Sequence, residues 1–139
     1  ELNWRFPAQP TVYYFSWAAA ATAPLWPTQH QVPLPTMLPQ LWGTALFIGA
    51  YTRDEPGQVV IDASWWENDG VVNTRSMAGP TLDSPDRLVS GAGQPQQGVW
   101  NNQGVLAGWD HLDLVGIGSL RDISGWYLRL AKSLAALPR

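Results

Sequence analysis

The sequence predicts an α/β fold, and more narrowly one part of a layered arrangement of sheet and helix. Three observations predict it. The stretch TVYYFSWA at 11–18 is short, β-branched and aromatic and is bounded by Pro10, which suits a buried strand. QVVIDA at 58–63 reads as a second short strand. Near the end of the chain, Ile123, Trp126, Tyr127, Leu130, Leu134 and Leu137 fall at i, i+3, i+4, i+7, i+11 and i+14, one apolar stripe of a helix. Arg121, Arg129, Lys132 and Ser133 take the other positions, and Pro138 stops the helix. Strands followed by a packed terminal helix, with functional turns between, are the pattern of a layered α/β fold. On this reading Ile123, Trp126, Leu130 and Leu134 are buried against the sheet and Lys132 is exposed.

Between these elements, residues 19–40 hold four alanines and then Pro24, Pro27, Pro33, Pro35 and Pro39. Proline at that density opposes helix interiors and central strands, so a long irregular surface excursion is expected. Residues 40–51 are either a short helix or a buried apolar segment; the pattern supports both. Asn68-Asp69-Gly70 is a strong turn signal. A short helix is expected to begin within 71–77, with Asn73 and Thr74 as candidate caps. Residues 79–98 read as loop, and 98–116 as one strand or extended segment and a loop around Asp110 and His111.

Composition narrows the function classes. With 139 residues, one core is expected, though not a complete fold. The net charge of -3 gives no basic field for nucleic acid phosphates or an acidic membrane surface. No apolar run approaches a membrane span, and no positive segment followed by an apolar one marks a signal peptide. The absence of cysteine excludes disulfide and thiol chemistry. The chain begins at Glu1, and residues upstream of it are expected. Nine tryptophans imply either a bulky core or exposed stacking platforms, and the core reading is expected.

Two histidines limit the choice of general base. His30, in PTQHQVP, has no carboxylate nearby in sequence and reads as a solvated loop residue. His111 lies in WDHLDL, where a strand meets a loop. Asp69 has a plain explanation in turn chemistry, since Asn and Asp tolerate the left-handed region and Gly supplies positive φ. An acid on a turn after a strand is also where a catalytic triad needs one, to fix the tautomer of an imidazole and stabilise its cation. A nucleophile is missing. A nucleophile elbow needs G-x-S-x-G, and no serine has that surround; Gly116-Ile117-Gly118-Ser119 comes nearest and lacks the following x-G. No phosphate-cradling glycine loop and no Cys/His metal cluster is present.

These motifs together resemble a known family. The run from Trp66 to Thr74 (WENDGVVNT), with Ser76-Met77 and Gly79-Pro80 after it, is similar to the acid-turn region of the thermoalkalophilic bacterial triacylglycerol lipases, the Geobacillus and staphylococcal group. Asp86-Arg87-Leu88-Val89 resembles the stretch after that turn. Gly98-Val99-Trp100-Asn101 and Asp110-His111-Leu112-Asp113 resemble the histidine region, Tyr127 to Ala131 the terminal helix, and Tyr13 to Ser16 a core strand. The resemblance implies the C-terminal part of an α/β-hydrolase fold, a mostly parallel sheet flanked by helices, incomplete without an N-terminal part. Residues 1–139 would then be the C-terminal portion of the catalytic domain, with 19–57 a variable proline-rich region that could shape an acyl pocket.

Chain order in that family is Ser, then Asp, then His. The resemblance therefore makes Asp69 the triad acid and His111 the base, with the serine on the N-terminal part. Asp113 matches a position where the family places a calcium-binding carboxylate, while Gly118 stands where a second one would be. The chemistry itself requires no cofactor. A lipid or other ester substrate and a secreted location follow from the same resemblance. Three other readings stand beside it. One, in class, is a related polyester depolymerase. Another is a non-catalytic, Trp-rich binding module, which predicts rows of exposed tryptophans and a wide separation of Asp69 from His111. The last is an inactive structural remnant, which predicts no serine partner anywhere.

Overall fold

A computed structural model of the chain describes residues 5–80, 82 and 84–138. It is an α/β structure with a three-stranded parallel sheet, β1 (Tyr14–Ala20), β5 (Trp100–Ala107) and β4 (Leu88–Ser90), in the order β1-β5-β4. β2 (Thr22–Leu25) and β3 (His30–Pro33) form a separate antiparallel ribbon, and the helices are α1 (Trp42–Ile48), α2 (Thr74–Met77) and α3 (Ile123–Ala135).

The central pairing is that of β1 with β5. Tyr14 faces Trp100, and Ser16 faces Asn102. The register then slips, so that Ala18 faces Val105. The extra residue falls on β5 beside Gly104, whose φ of 89° suits a bulge that only glycine adopts cheaply. The run of alanines at the end of β1 is the most buried part of the chain: Ala18, Ala19, Ala20 and Ala21 are all below one-tenth exposure. Small side chains let neighbouring segments approach the strand closely. Met37 and Ala45 close over Ala21, with Leu41 packed beside them, and this is the apolar core. Met37 is 2% exposed. Met37→Ala is expected to cost about 2–5 kcal/mol by leaving a cavity at this point, read as a shift in denaturant midpoint.

Several expectations need correction. The proline-rich stretch is not irregular throughout. Residues 22–33 make the β2–β3 ribbon, in which Pro24 pairs opposite Gln31 and Pro33 opposite Thr22. A two-stranded ribbon is all edge, which is where a strand tolerates proline. Residues 58–63 are not a strand; they contribute one isolated bridge, Ile61 to Arg53, and then a single 3-10 turn at Ala63–Trp65. β4 lies inside the region expected as loop, and at three residues it is too short to show a period. Residues 40–51 resolve to α1, and Asn73 caps α2 by accepting the Ser76 N–H at 2.9 Å.

The terminal helix is present, but its stripe is not covered. No residue of α3 is buried; Ile123, Trp126 and Leu130 are half-buried and Leu134 is 44% exposed. Trp126 holds the helix to the sheet through edge contact with Trp17 of β1, at 5.8 Å between ring centres. Beyond that contact the stripe faces an open groove lined by Phe15, Trp17, Leu130, Leu134 and Leu137. The tryptophans follow suit: among the described residues only Trp65 is buried, and Trp26, at the tip of the β2–β3 ribbon, is 82% exposed. Arg121 does not lie on the polar face of the helix. It precedes the helix, whose N-cap is Asp122, accepting the Gly125 N–H at 2.8 Å.

Candidate active site

In a parallel sheet the strands present their carboxyl ends on one side, and ligand sites of open α/β sheets gather there. Both singled-out residues are attached at that side, to neighbouring strands. The acid turn hangs from the end of β1, where the Ala21 N–H donates to the Asn68 carbonyl at 2.9 Å. Thr74 Oγ1 donates to the Ala19 carbonyl at 2.9 Å, and Thr22 Oγ1 accepts the Asn68 N–H at 3.2 Å. The histidine loop leaves the end of β5, where the Gly108 N–H donates to the Ala20 carbonyl at 2.6 Å.

Asn68 organises the acid turn from within. It is fully buried; its Nδ2 donates to the carbonyls of Trp66 at 2.8 Å and Ala45 at 3.2 Å, and its Oδ1 accepts the Gly70 N–H at 2.9 Å. Gly70 has φ 101°, and a Cβ there would come within 2.9 Å of Leu41 Cβ, so both conformation and space require glycine. Asp69, 2% exposed, then points one oxygen back and one out. Oδ1 accepts the N–H groups of Val71 at 3.0 Å and Val72 at 2.8 Å. Oδ2 lies 2.8 Å from Nδ1 of His111. A second bond joins the same two residues, from the His111 N–H to the Asp69 carbonyl at 2.9 Å.

His111 differs from Asp69 in exposure: its side chain is 43% accessible against 3%. Among the described residues no hydrogen bond is made to its Nε2. The imidazole thus has one nitrogen engaged by a buried carboxylate and the other presented outward. Such an arrangement can fix a tautomer with the proton on Nδ1 and leave Nε2 free to accept one. His30 has no part in it; it is exposed and stands edge-on to Trp66 at 4.8 Å.

Two further residues shape the loop. Asp110 is 3% exposed and its carboxylate accepts the N–H groups of Leu112 and Asp113 on Oδ1 and of Leu38 on Oδ2. In the sequence it stood beside His111 in the motif Asp110-His111-Leu112-Asp113, with no role assigned to it. Asp113 is 6% exposed, and its Oδ2 accepts the Asp110 N–H at 2.9 Å and Nε of Arg121 at 3.1 Å. The carboxylate implied as a calcium ligand is therefore already engaged by a cation of the chain. At Gly118, φ is 66° and a Cβ would come within 2.6 Å of Leu38 Cδ2, so a second carboxylate there would need Leu38 to move and the backbone to hold a conformation that favours glycine. The residues around Asp113 do not fit a calcium ion, which takes 6–8 oxygen ligands. No group of three or more metal-ligating side chains occurs among the described residues.

A parallel sheet flanked by helices, with a hydrogen-bonded acid and histidine at the carboxyl ends of adjacent strands, defines an α/β protein of the hydrolase type of layout. No protein-family model matches the sequence. EstA from Clostridium botulinum superposes with a TM-score of 0.92 at 38% identity, over 99% of this chain and 32% of that one. Lipase 1 from Pelosinus fermentans gives 0.84 at 42% identity, over 99% and 36%. Staphylococcus hyicus lipase shares the fold, with a TM-score of 0.75 at 23% identity. Lipase 2 of Staphylococcus aureus is 29% identical over 77 residues, 55% of this chain and 10% of its own length. The chain is similar over nearly its whole length to part of EstA and of the Pelosinus lipase, and it spans about a third of each of them. No helix among the described residues is long and apolar enough to cross a membrane.

Proposed function

We propose that this chain supplies the acid and the base of a serine ester hydrolase whose nucleophile lies on an N-terminal part of the same protein. The observation that carries the reading is the 2.8 Å contact between Asp69 Oδ2 and His111 Nδ1, made by a buried carboxylate and an exposed ring. The serine hydroxyl adds to the ester carbonyl carbon while His111 Nε2 takes its proton. The bond from the carbonyl carbon to the alkoxy oxygen then breaks as His111 returns that proton to the departing oxygen, so an alcohol leaves and the acyl group stays on the serine. Water then attacks the acyl carbon with His111 as base, the bond to the serine oxygen breaks as His111 hands the proton to that oxygen, and the carboxylic acid is released. Asp69 holds the tautomer and stabilises the imidazolium without itself taking the proton. No cofactor enters these steps. The names of the relatives favour lipid esters, the resemblance of the motifs favours a secreted enzyme, and the half-covered α3 stripe supports an N-terminal part that packs on it.

Two measurements test this. In the full-length polypeptide, His111→Ala is expected to lower hydrolysis of a p-nitrophenyl ester by about 10⁴-fold or more with the circular dichroism spectrum unchanged. Unchanged activity would overturn the assignment. Residues 1–139 alone are expected to hydrolyse no ester, and activity is expected to appear when the N-terminal part is supplied. Full activity from residues 1–139 alone would overturn the division of the triad.

A further inference from the structure

The loop that carries His111 buries two carboxylates, and buried charge is tolerated only when it is paired or hydrogen-bonded. Asp110 is met by three backbone N–H groups: Leu112 at 2.9 Å, Asp113 at 3.1 Å and Leu38 at 2.8 Å. Asp113 is met by the Asp110 N–H and by Arg121. Arg121 does more than pair with Asp113. Its Nη2 donates to the Gly108 carbonyl, and its guanidinium carbon lies 4.8 Å over the ring of Trp109. One side chain therefore grips both ends of the segment 108–113, with His111 between them. Gly108 permits this, since a Cβ there would stand 3.2 Å from Arg121 Nη2.

We propose that Arg121 is the built-in cation of this loop, a positioning residue for His111 that stands where a divalent ion is implied for the lipases the chain resembles. The oxygens it joins, a buried carboxylate and a backbone carbonyl, are those a hard cation would take. A planar guanidinium supplies directed donors to both at once and stacks on an indole, which an ammonium does less well. The inference on His111 rests on the hydrolase reading; the structural role of Arg121 does not.

The experiment uses the full-length polypeptide as wild type, Arg121→Met and Arg121→Lys. Thermal midpoints are measured in EDTA and in about 5 mM calcium chloride, above the range of weak extracellular calcium sites. Steady-state kinetics are measured on a p-nitrophenyl ester. The wild-type midpoint is expected to move by less than about 1 °C with calcium, and Arg121→Met to lower it by about 4 °C or more. Arg121→Met is also expected to lower kcat roughly 10- to 100-fold with KM little changed, as a displaced catalytic group does, and Arg121→Lys to recover part of both. A wild-type midpoint raised several degrees by calcium and restored by EDTA would overturn the proposal. So would an Arg121→Met variant with the wild-type midpoint, or one whose midpoint falls while kcat stays at the wild-type value. If Arg121→Met does not fold, Arg121→Lys and the wild-type calcium comparison decide. A wild type that hydrolyses no ester would defeat the hydrolase reading, and the thermal midpoints would still judge Arg121.

Discussion

Asp69→Asn in the full-length polypeptide is expected to lower kcat for ester hydrolysis by about 10⁴-fold, with KM nearly unchanged. The substitution keeps the shape of the acid turn. An Asn carbonyl oxygen can still accept the Val71 and Val72 N–H groups that Asp69 Oδ1 accepts now. What changes is the group facing His111. In place of a carboxylate oxygen 2.8 Å from Nδ1 stands an amide NH₂, a donor. It favours the tautomer with Nδ1 unprotonated, which places the proton on Nε2, where the base must be empty. The imidazolium of the transition state also loses its counter-charge. Pre-steady-state kinetics would show the loss in acylation, and a variant retaining more than a tenth of wild-type kcat would remove Asp69 from the mechanism.

Asn68→Ala is expected to destabilise the protein by on the order of 3 kcal/mol, read from the denaturant midpoint at constant slope. Three hydrogen bonds disappear with the side chain, and the Gly70 N–H is left buried without its acceptor. The same residue ties the acid turn to α1 through the Ala45 carbonyl, so the loss is expected to loosen the turn that carries Asp69. A loss below about 1 kcal/mol, in the range of surface substitutions, would show that water replaces the side chain.

The candidate site was more legible in the sequence than the fold around it. Collinear motifs singled out Asp69 and His111, and the structure brings them into contact across 42 positions. β1, β5 and the terminal helix were legible because each is long enough to show its period or composition. β4 was not, since three residues carry no period and only pairing with Trp100–Asn102 makes them a strand. The β2–β3 ribbon was hidden by prolines that exclude a central strand but not an edge. QVVIDA was misread because a β-branched run records a preference and not the presence of a partner. The α3 stripe shows the same limit: periodicity marks Leu134 as apolar and facing one way, but it does not say whether its cover lies on the same stretch of chain. Arg121 was misplaced because spacing alone continued the helix back through Asp122. Its true partners, Asp113 and Gly108, became visible only when the loop folded over them.

Asp69 and His111 are joined twice, side chain to side chain and the His111 N–H to the Asp69 carbonyl. The two attachments act at different levels: the backbone bond holds the acid turn and the histidine loop in register, and the side-chain bond holds the ring on the carboxylate. The alignment problem is thereby divided unequally between the halves of the proposed enzyme. Acid and base are registered to each other by one stretch of chain, through strands that are already hydrogen-bonded neighbours. In the proposed enzyme, the part that brings the nucleophile would then set the distance of one hydroxyl from one ring nitrogen. Drift or repacking at the boundary between the halves would therefore show itself as a change in that one distance, with the acid–base pair carried along as a rigid unit.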